Sequence, residues 1–375
     1  MQHATTFNVG GVAVTLRGLP NSTGTSTDSP FDEICKSLRH EFPALSAARR
    51  ESRQTERKIR DSVAHIRISP DIGLVVFGSL ARLEWTSGSD VDWTLLVDGP
   101  SDPEHFALAR EVERSLKETG FPPVGATGTF GSMASSFDLI HYIGGIEDSN
   151  QNMTRRILLL LESVSLSDTV VHERVLRGIL KRYIQTDPAV STATAPQFRV
   201  PLFLLNDIVR LWRTIAVDYA TKKWQMPSTK WALRNIKLRM SRKLLFVKGL
   251  LMCFSCQLRP PAIEEQNEEI VLDQIVSHCL NYTQKSALDV LCEMLIQVND
   301  DRLAIKLLQA YDDFLSCLND KKKRKHLQDL DFSRAASDEL FQEVRQISYN
   351  FRDGLNELFF DHELLRPLTR NFGLF

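Results

Sequence analysis

Two short motifs restrict what this chain can fold into more than any other feature. Phe77-Gly78-Ser79 closes the apolar run Leu74-Val75-Val76-Phe77. Ten residues on, Ser89-Asp90-Val91-Asp92-Trp93 leads into a second apolar run that continues to Val97. Runs of this length bounded by glycine, serine and aspartate read as adjacent strands joined by the short linker Leu80 to Ser89. Carboxylates at i and i+2 on a strand project from the same side of a sheet. Two held that close repel each other and favour a divalent cation, and an all-oxygen site suits Mg²⁺ bound together with a polyphosphate. A Gly-Ser turn beside them offers backbone N–H groups and a hydroxyl to phosphate oxygens. Either half alone would be an ordinary surface turn; the spacing and the apolar flanks make the combination informative.

A third acidic element has a candidate in Ser136-Phe137-Asp138-Leu139-Ile140-His141-Tyr142-Ile143, which reads as a strand after a glycine-rich turn region at Gly125, Gly128 and Gly131. The order of apolar strand, Gly-Ser, Asp-x-Asp and a distant lone Asp between apolar residues resembles the DNA polymerase β-like nucleotidyltransferase superfamily. The resemblance covers roughly residues 60 to 165. Many members continue as Gly-Ser-x-Ala-Arg-Gly, whereas here Gly78-Ser79-Leu80-Ala81-Arg82 is followed by Leu83. That departure concerns the loop after Arg82 rather than the carboxylates.

The resemblance implies roles for these positions. Asp90 and Asp92 would hold two Mg²⁺ ions, with Mn²⁺ as a substitute, and Asp138 would hold the ion that activates an acceptor hydroxyl. Gly78 and Ser79 would grip the β- and γ-phosphates. The acceptor would attack the α-phosphorus of a nucleoside triphosphate and pyrophosphate would leave. Arg82 stands evenly between a phosphate contact and a solvent-facing residue. Asp98 reads as a turn residue before Gly99-Pro100, and Asp148 as a capping or loop residue.

The formal net charge of −1 conceals an asymmetry. Between Arg199 and Arg259 there are thirteen basic residues against two acidic ones, Asp207 and Asp218. Two helices carry this charge. Phe203 to Ala220 sets Leu204, Ile208, Leu211 and Ile215 on one face and Asn206, Arg210 and Arg213 on another. From Lys230 to Lys243, Leu233, Ile236 and Met240 form an apolar stripe, with Lys230, Arg234, Lys237 and Ser241 beside it. In polymerase β-like enzymes with helical second domains, such cations meet the triphosphate or acceptor across a cleft. Arg210, Lys230, Arg234 and Lys237 are therefore the phosphate-binding candidates of this region, against the competing reading of a solvated basic helix. Lys321-Lys322-Lys323-Arg324-Lys325 reads as a polar loop outside the site.

The fold class expected is α/β followed by α: a small mixed β-sheet nucleotidyltransferase domain, then a large all-helical domain. The expected boundaries are an N-terminal arm at 1–30 with a short hairpin (Val9 to Leu16) and a Ser/Thr/Gly/Asn/Pro stretch (Leu19 to Pro30), a catalytic domain at 31–165, and a helical domain at 166–375 with basic cleft-facing helices. At 375 residues with 43% hydrophobic content the chain can build two cores. Leu244 to Phe254, the most apolar run, is too short to span a membrane and is interrupted by Lys248. No basic-then-apolar leader opens the sequence, so the expectation is a cytoplasmic protein without membrane insertion. Six cysteines are scattered, and Cys253-Phe254-Ser255-Cys256 with His278-Cys279 does not complete a zinc spacing. They read as buried thiols in a reducing compartment.

Three functions follow as alternatives. The first is an enzyme that builds an oligonucleotide or nucleotide signal, favoured by the basic helical module because such an acceptor brings several phosphates. Bacterial nucleotidyltransferases of antiphage operons are similar in size and layout, and that setting would supply a protein effector partner. The second is a protein-modifying adenylyl- or uridylyltransferase acting on a protein hydroxyl. The third is a non-catalytic, nucleotide-binding interaction module, against which the Asp90/Asp92/Asp138 set argues.

Overall fold

The computed structural model describes residues 4–9, 12–17, 28–122, 130–188, 190, 199–225, 230–259 and 268–373. Gly125 and Gly128 of the expected glycine-rich turn, and residues 19–27 of the expected linker, lie outside them. The chain packs into two compact units. One comprises Ser46–Asp218 and Met252–Ala287; the other comprises Met1–Leu45, Tyr219–Leu251 and Leu288–Phe375. A small mixed sheet with helices lies toward the N-terminus and a largely helical region follows, the architecture expected from the sequence.

The first ordered element is a two-stranded antiparallel hairpin of β1 (Ala4–Val9) and β2 (Val12–Arg17). A hairpin is expected from sequence at Val9 to Leu16; its strands extend from Ala4 to Arg17. Four further strands form the second sheet: β3 (Ile72–Phe77), β4 (Asp92–Val97), β5 (Ser132–Ser135) and β6 (Ser163–Ser165), in the order β5-β4-β3-β6. β3 runs antiparallel to β4 and to β6, so Phe77 lies opposite both Asp92 and Ser163. β5 runs parallel to β4, with Ser132 opposite Thr94 and Ser135 opposite Val97.

β3 is buried along its whole length, which explains why its sequence is a continuous apolar run rather than an alternating one. Its Leu74 and Val76 join Trp93 and Leu95 of β4 in a core completed by Ile59 and Val63 of helix Pro43–Val63 and by Val112 and Leu116 of helix Glu104–Glu118. Val75, Phe77, Thr94 and Leu96 share a small cavity of about 10 Å³ with Leu139, Arg155 and Leu159. Helix Asn150–Leu161 supplies Arg155 and Leu159. The sheet is thus covered on both faces, leaving its strand ends to carry chemistry.

The same unit holds a buried polar network. Arg156 is fully buried and donates to both carboxylate oxygens of Asp148 at 3.0 and 2.8 Å and to Asp207 at 3.0 Å. The Tyr183 hydroxyl accepts from Arg156 at 2.7 Å and donates to Asp207. Asp148 is a loop residue, as expected, but one whose carboxylate fixes the loop to helix Asn150–Leu161. A fully buried guanidinium is tolerable only when paired this completely.

Among its described residues the other unit has no strands besides the hairpin and is otherwise mainly helical. It contains helices Pro30–Leu38, Trp231–Lys237, Asp301–Asn319, Lys321–Asp329 and Glu339–Asn356, with a π-helical turn at Leu238–Arg242. Ser29 and Asp32 form a reciprocal capping box at the start of the first of these. The run Lys321–Lys325 is not a loop. Asp320 caps it by accepting from the backbone of Lys322 and Lys323, at 2.8 and 3.0 Å, and the run becomes the first turns of a helix. One strong N-cap outweighs repulsion among five cations that can spread around a helix. No helix among the described residues is long and apolar enough to cross a membrane.

Candidate nucleotide site at the end of the central strands

The end of the sheet where β3 stops and β4 starts gathers the motif residues. β3 ends at Phe77 and the chain turns directly into the four-residue helix Gly78–Ala81. Gly78 takes φ +70, a left-handed conformation that glycine enters without steric cost. A Cβ on Gly78 would lie 2.8 Å from Asp92 Oδ2. The missing side chain is therefore what admits the Asp92 carboxylate over the Gly-Ser turn. Gly78 is buried and Ser79 partly buried, while Asp92 is partly buried and Asp90 exposed. The pairing of Phe77 with Asp92 sets this proximity, which sequence spacing alone only suggested.

Arg82 belongs to the support of the turn, not to its open side. It is 7% exposed, pairs with Glu84 at 2.9 Å and also with Glu162. Both carboxylates are buried as well. Glu162 precedes β6, whose Ser163 lies opposite Phe77, so the ion pairs tie β6 to the segment following Gly78. This corrects the solvent-facing reading of Arg82, whose guanidinium is buried between two carboxylates. Glu162 was not foreseen; it is far from the motif in sequence and shows no local signal.

Leu83 answers the question raised by the family pattern. It adopts φ +60, a left-handed conformation that glycine enters more readily than leucine. The loop keeps that conformation although leucine is strained there. The Glu84 N–H then donates to the Ser79 carbonyl at 2.8 Å and closes the turn.

Asp138 is placed differently from expectation. The strand is Ser132–Ser135, and Asp138 falls in the first turn of helix Ser136–His141. Because β5 runs parallel to β4, its last residue pairs with Val97, at the end of β4 away from Asp92. Among the described residues no group of three or more His, Cys, Asp or Glu side chains could hold a metal ion. The structure brings Asp92 to Gly78 and Asp90 two residues before it, but does not bring Asp138 into a three-carboxylate cluster with them. The charge of Asp138 instead acts on Arg155, whose guanidinium donates to Ser132 Oγ at 3.1 Å. Burial pushes the Arg155 pKa down, against the opposing effect of Asp138.

Of the four cations expected at the phosphates, Arg210 lies in the sheet-bearing unit and pairs with Asp207 at 2.7 Å. That carboxylate belongs to the Arg156 network, so Arg210 has a structural partner. Lys230, Arg234 and Lys237 belong to the other unit. Lys230 is exposed, sits at φ +57 and precedes helix Trp231–Lys237, on which Arg234 and Lys237 are partly buried.

A second unforeseen contact stabilises this end of the sheet. Ser163 Oγ lies 2.7 Å from His172 Nε2 and donates to the Leu159 carbonyl at 2.6 Å. Burial pushes the His172 pKa down to about 4. The imidazole is therefore neutral near pH 7, with Ser163 accepting from it.

A mixed sheet with a Gly-Ser turn beside an Asp-x-Asp carboxylate is the arrangement that the sequence resemblance implied. A family model described as a nucleotidyltransferase domain matches residues 56–124. That match is consistent with the polymerase β-like superfamily. No curated protein matches the chain.

Proposed function

We propose that this protein transfers a nucleoside monophosphate from a nucleoside triphosphate to a hydroxyl, releasing pyrophosphate. The nucleotidyltransferase domain supports nucleotidyl transfer in general. The observation that carries the reading is the Asp92 carboxylate seated 2.8 Å from where a Gly78 side chain would begin. In this reading Gly78 and Ser79 orient the β- and γ-phosphates and Asp92 faces the α-phosphate. The acceptor hydroxyl oxygen bonds to the α-phosphorus and its proton passes to solvent, the α–β bridging bond breaks, and pyrophosphate leaves with the electron pair.

The donor set of Asp90 and Asp92 is all oxygen and fits Mg²⁺ brought in with the triphosphate. Bound there, Mg²⁺ would supply neutralisation of the polyphosphate charge. The product we favour is an oligonucleotide or nucleotide signal, in the setting of bacterial antiphage defence. Support comes from thirteen basic residues against two acidic ones between Arg199 and Arg259, and from the resemblance in size and layout. A second reading, nucleotide binding without turnover, is favoured by one specific observation: no third carboxylate joins the pair among the described residues.

The test is incubation of the purified chain with each labelled ribo- and deoxyribonucleoside triphosphate, with and without Mg²⁺. A metal-dependent ladder of products supports oligonucleotide synthesis. A single addition to protein shifts the reading to a modifying enzyme. Nucleotide binding without any product establishes the second reading.

A further inference from the structure

The helical unit contains a concentration of positive charge built from residues remote in sequence from the Gly78–Asp92 turn. Three guanidiniums converge on the ring of Tyr349. Arg352 lies 4.8 Å, Arg239 5.4 Å and Arg345 5.4 Å from its centroid. Arg345, Tyr349 and Arg352 share one face of helix Glu339–Asn356 at i, i+4 and i+7. Arg239 comes from the π-helical turn Leu238–Arg242, and Lys243 follows that turn directly. The wider winding of a π-turn is uncommon and recurs at functional sites because it re-aims side chains.

Like charges gathered this tightly are unfavourable without a counter-charge. Arg352 pairs at 2.7 Å with Asp353, its neighbour in sequence. Among the described residues, Arg239, Lys243 and Arg345 make no ion pair with a carboxylate; Arg239 donates to the Asn235 side chain at 2.9 Å instead. Burial, then the charges of Arg239 and Arg352, push the Lys243 pKa down, against the opposing charge of Asp353. The ring of Tyr349 orders the guanidiniums through cation–π contact without neutralising them. Arginine forks held in place with free donors match the oxygens of phosphate.

We propose that Arg239, Lys243, Arg345 and Arg352, ordered around Tyr349, form a binding site for a multiply charged phosphate anion in the helical unit. The site stands on residues of that unit alone and does not depend on nucleotidyl transfer. Its ligand chemistry is a run of phosphate oxyanions. A compact polyphosphate and the backbone of a single-stranded oligonucleotide both present that chemistry.

The test uses the full chain without divalent cations. It measures binding of inorganic tripolyphosphate by calorimetry and of a fluorescent single-stranded oligonucleotide by anisotropy. The Arg239→Gln/Arg345→Gln double variant is expected to weaken the bound probe about a hundredfold, one decade per lost charge-assisted contact. Arg345→Lys on the Arg239-intact background should recover part of the affinity, and thermal unfolding shows whether each variant is folded. Tripolyphosphate binding alone assigns a small polyphosphate. Oligonucleotide binding whose salt slope falls by about 0.7 per removed arginine assigns a nucleic-acid backbone. Neither probe binding the wild-type chain, or both binding the folded double variant with unchanged affinity, overturns the proposal.

Discussion

Gly78 is where local backbone geometry and chemistry meet. It sits at φ +70, and a methyl group there would reach within 2.8 Å of Asp92 Oδ2. Gly78→Ala should cost about 1–2 kcal/mol from the left-handed backbone alone, read as a lower unfolding midpoint. It should also displace the Asp92 carboxylate and reduce transfer more than it reduces stability. Retention of full activity would mean that the Gly78–Asp92 proximity carries no chemistry. Leu83 makes the opposite case, because it holds φ +60 with a side chain attached. Leu83→Ala keeps the strain and loses packing, whereas Leu83→Gly loses packing but relieves the strain. The glycine variant should therefore be the more stable of the two by about 1 kcal/mol, inverting the usual order of Ala and Gly. Denaturant unfolding of the pair decides it; alanine proving the more stable would contradict a strained Leu83.

At the scale of elements, the β3–turn–β4 unit was legible because its signals are local. A buried strand reads as a continuous apolar run, and the Gly-Ser and Asp-Val-Asp motifs lie at the end of β3 and the start of β4. The third acidic element was less legible. Phe137-Asp138-Leu139-Ile140 has strand-like composition, but the pairing partner of β4 is Ser132–Ser135, and Asp138 falls in the helix that follows. Short apolar stretches do not distinguish a strand from one turn of helix, and register is decided by long-range pairing. The Arg82–Glu162 ion pair was invisible for the same reason, since Glu162 lies eighty residues away. The contact of β6 with helix Thr169–Gln185 through Ser163 and His172 gives a pH prediction. His172 has a pKa near 6.5 when unfolded and about 4 when folded. The unfolded state binds its proton first as pH falls, so this contribution is fully present above pH 6.5 and is lost toward pH 4. Its size is about 3 kcal/mol. His172→Gln should flatten that part of the stability–pH curve; an unchanged acid limb would assign the acid sensitivity to other groups.

At the scale of the whole molecule, the sequence correctly indicated a small mixed sheet followed by mostly helical structure. It indicated less well how the chain is shared between compact units. Helices Thr169–Gln185 and Glu268–Thr283 lie beyond residue 165, yet they pack in the unit that contains the sheet. A linear reading cannot see this, because a unit built from two separated stretches leaves no composition boundary. The strong basic character of residues 199–259 is likewise divided between the units, with Arg210 in one and Lys230, Arg234 and Lys237 in the other. The proposed transfer site is built on Asp92 over Gly78 rather than on three converging carboxylates. The most direct measurement is the rate of pyrophosphate release from nucleoside triphosphates by the wild-type chain, Asp92→Asn and Asp138→Asn, with unfolding followed in parallel. Asp92→Asn is expected to fall to background with the fold intact while Asp138→Asn retains measurable release. Loss of release in Asp138→Asn alone, with Asp92→Asn active, would contradict it.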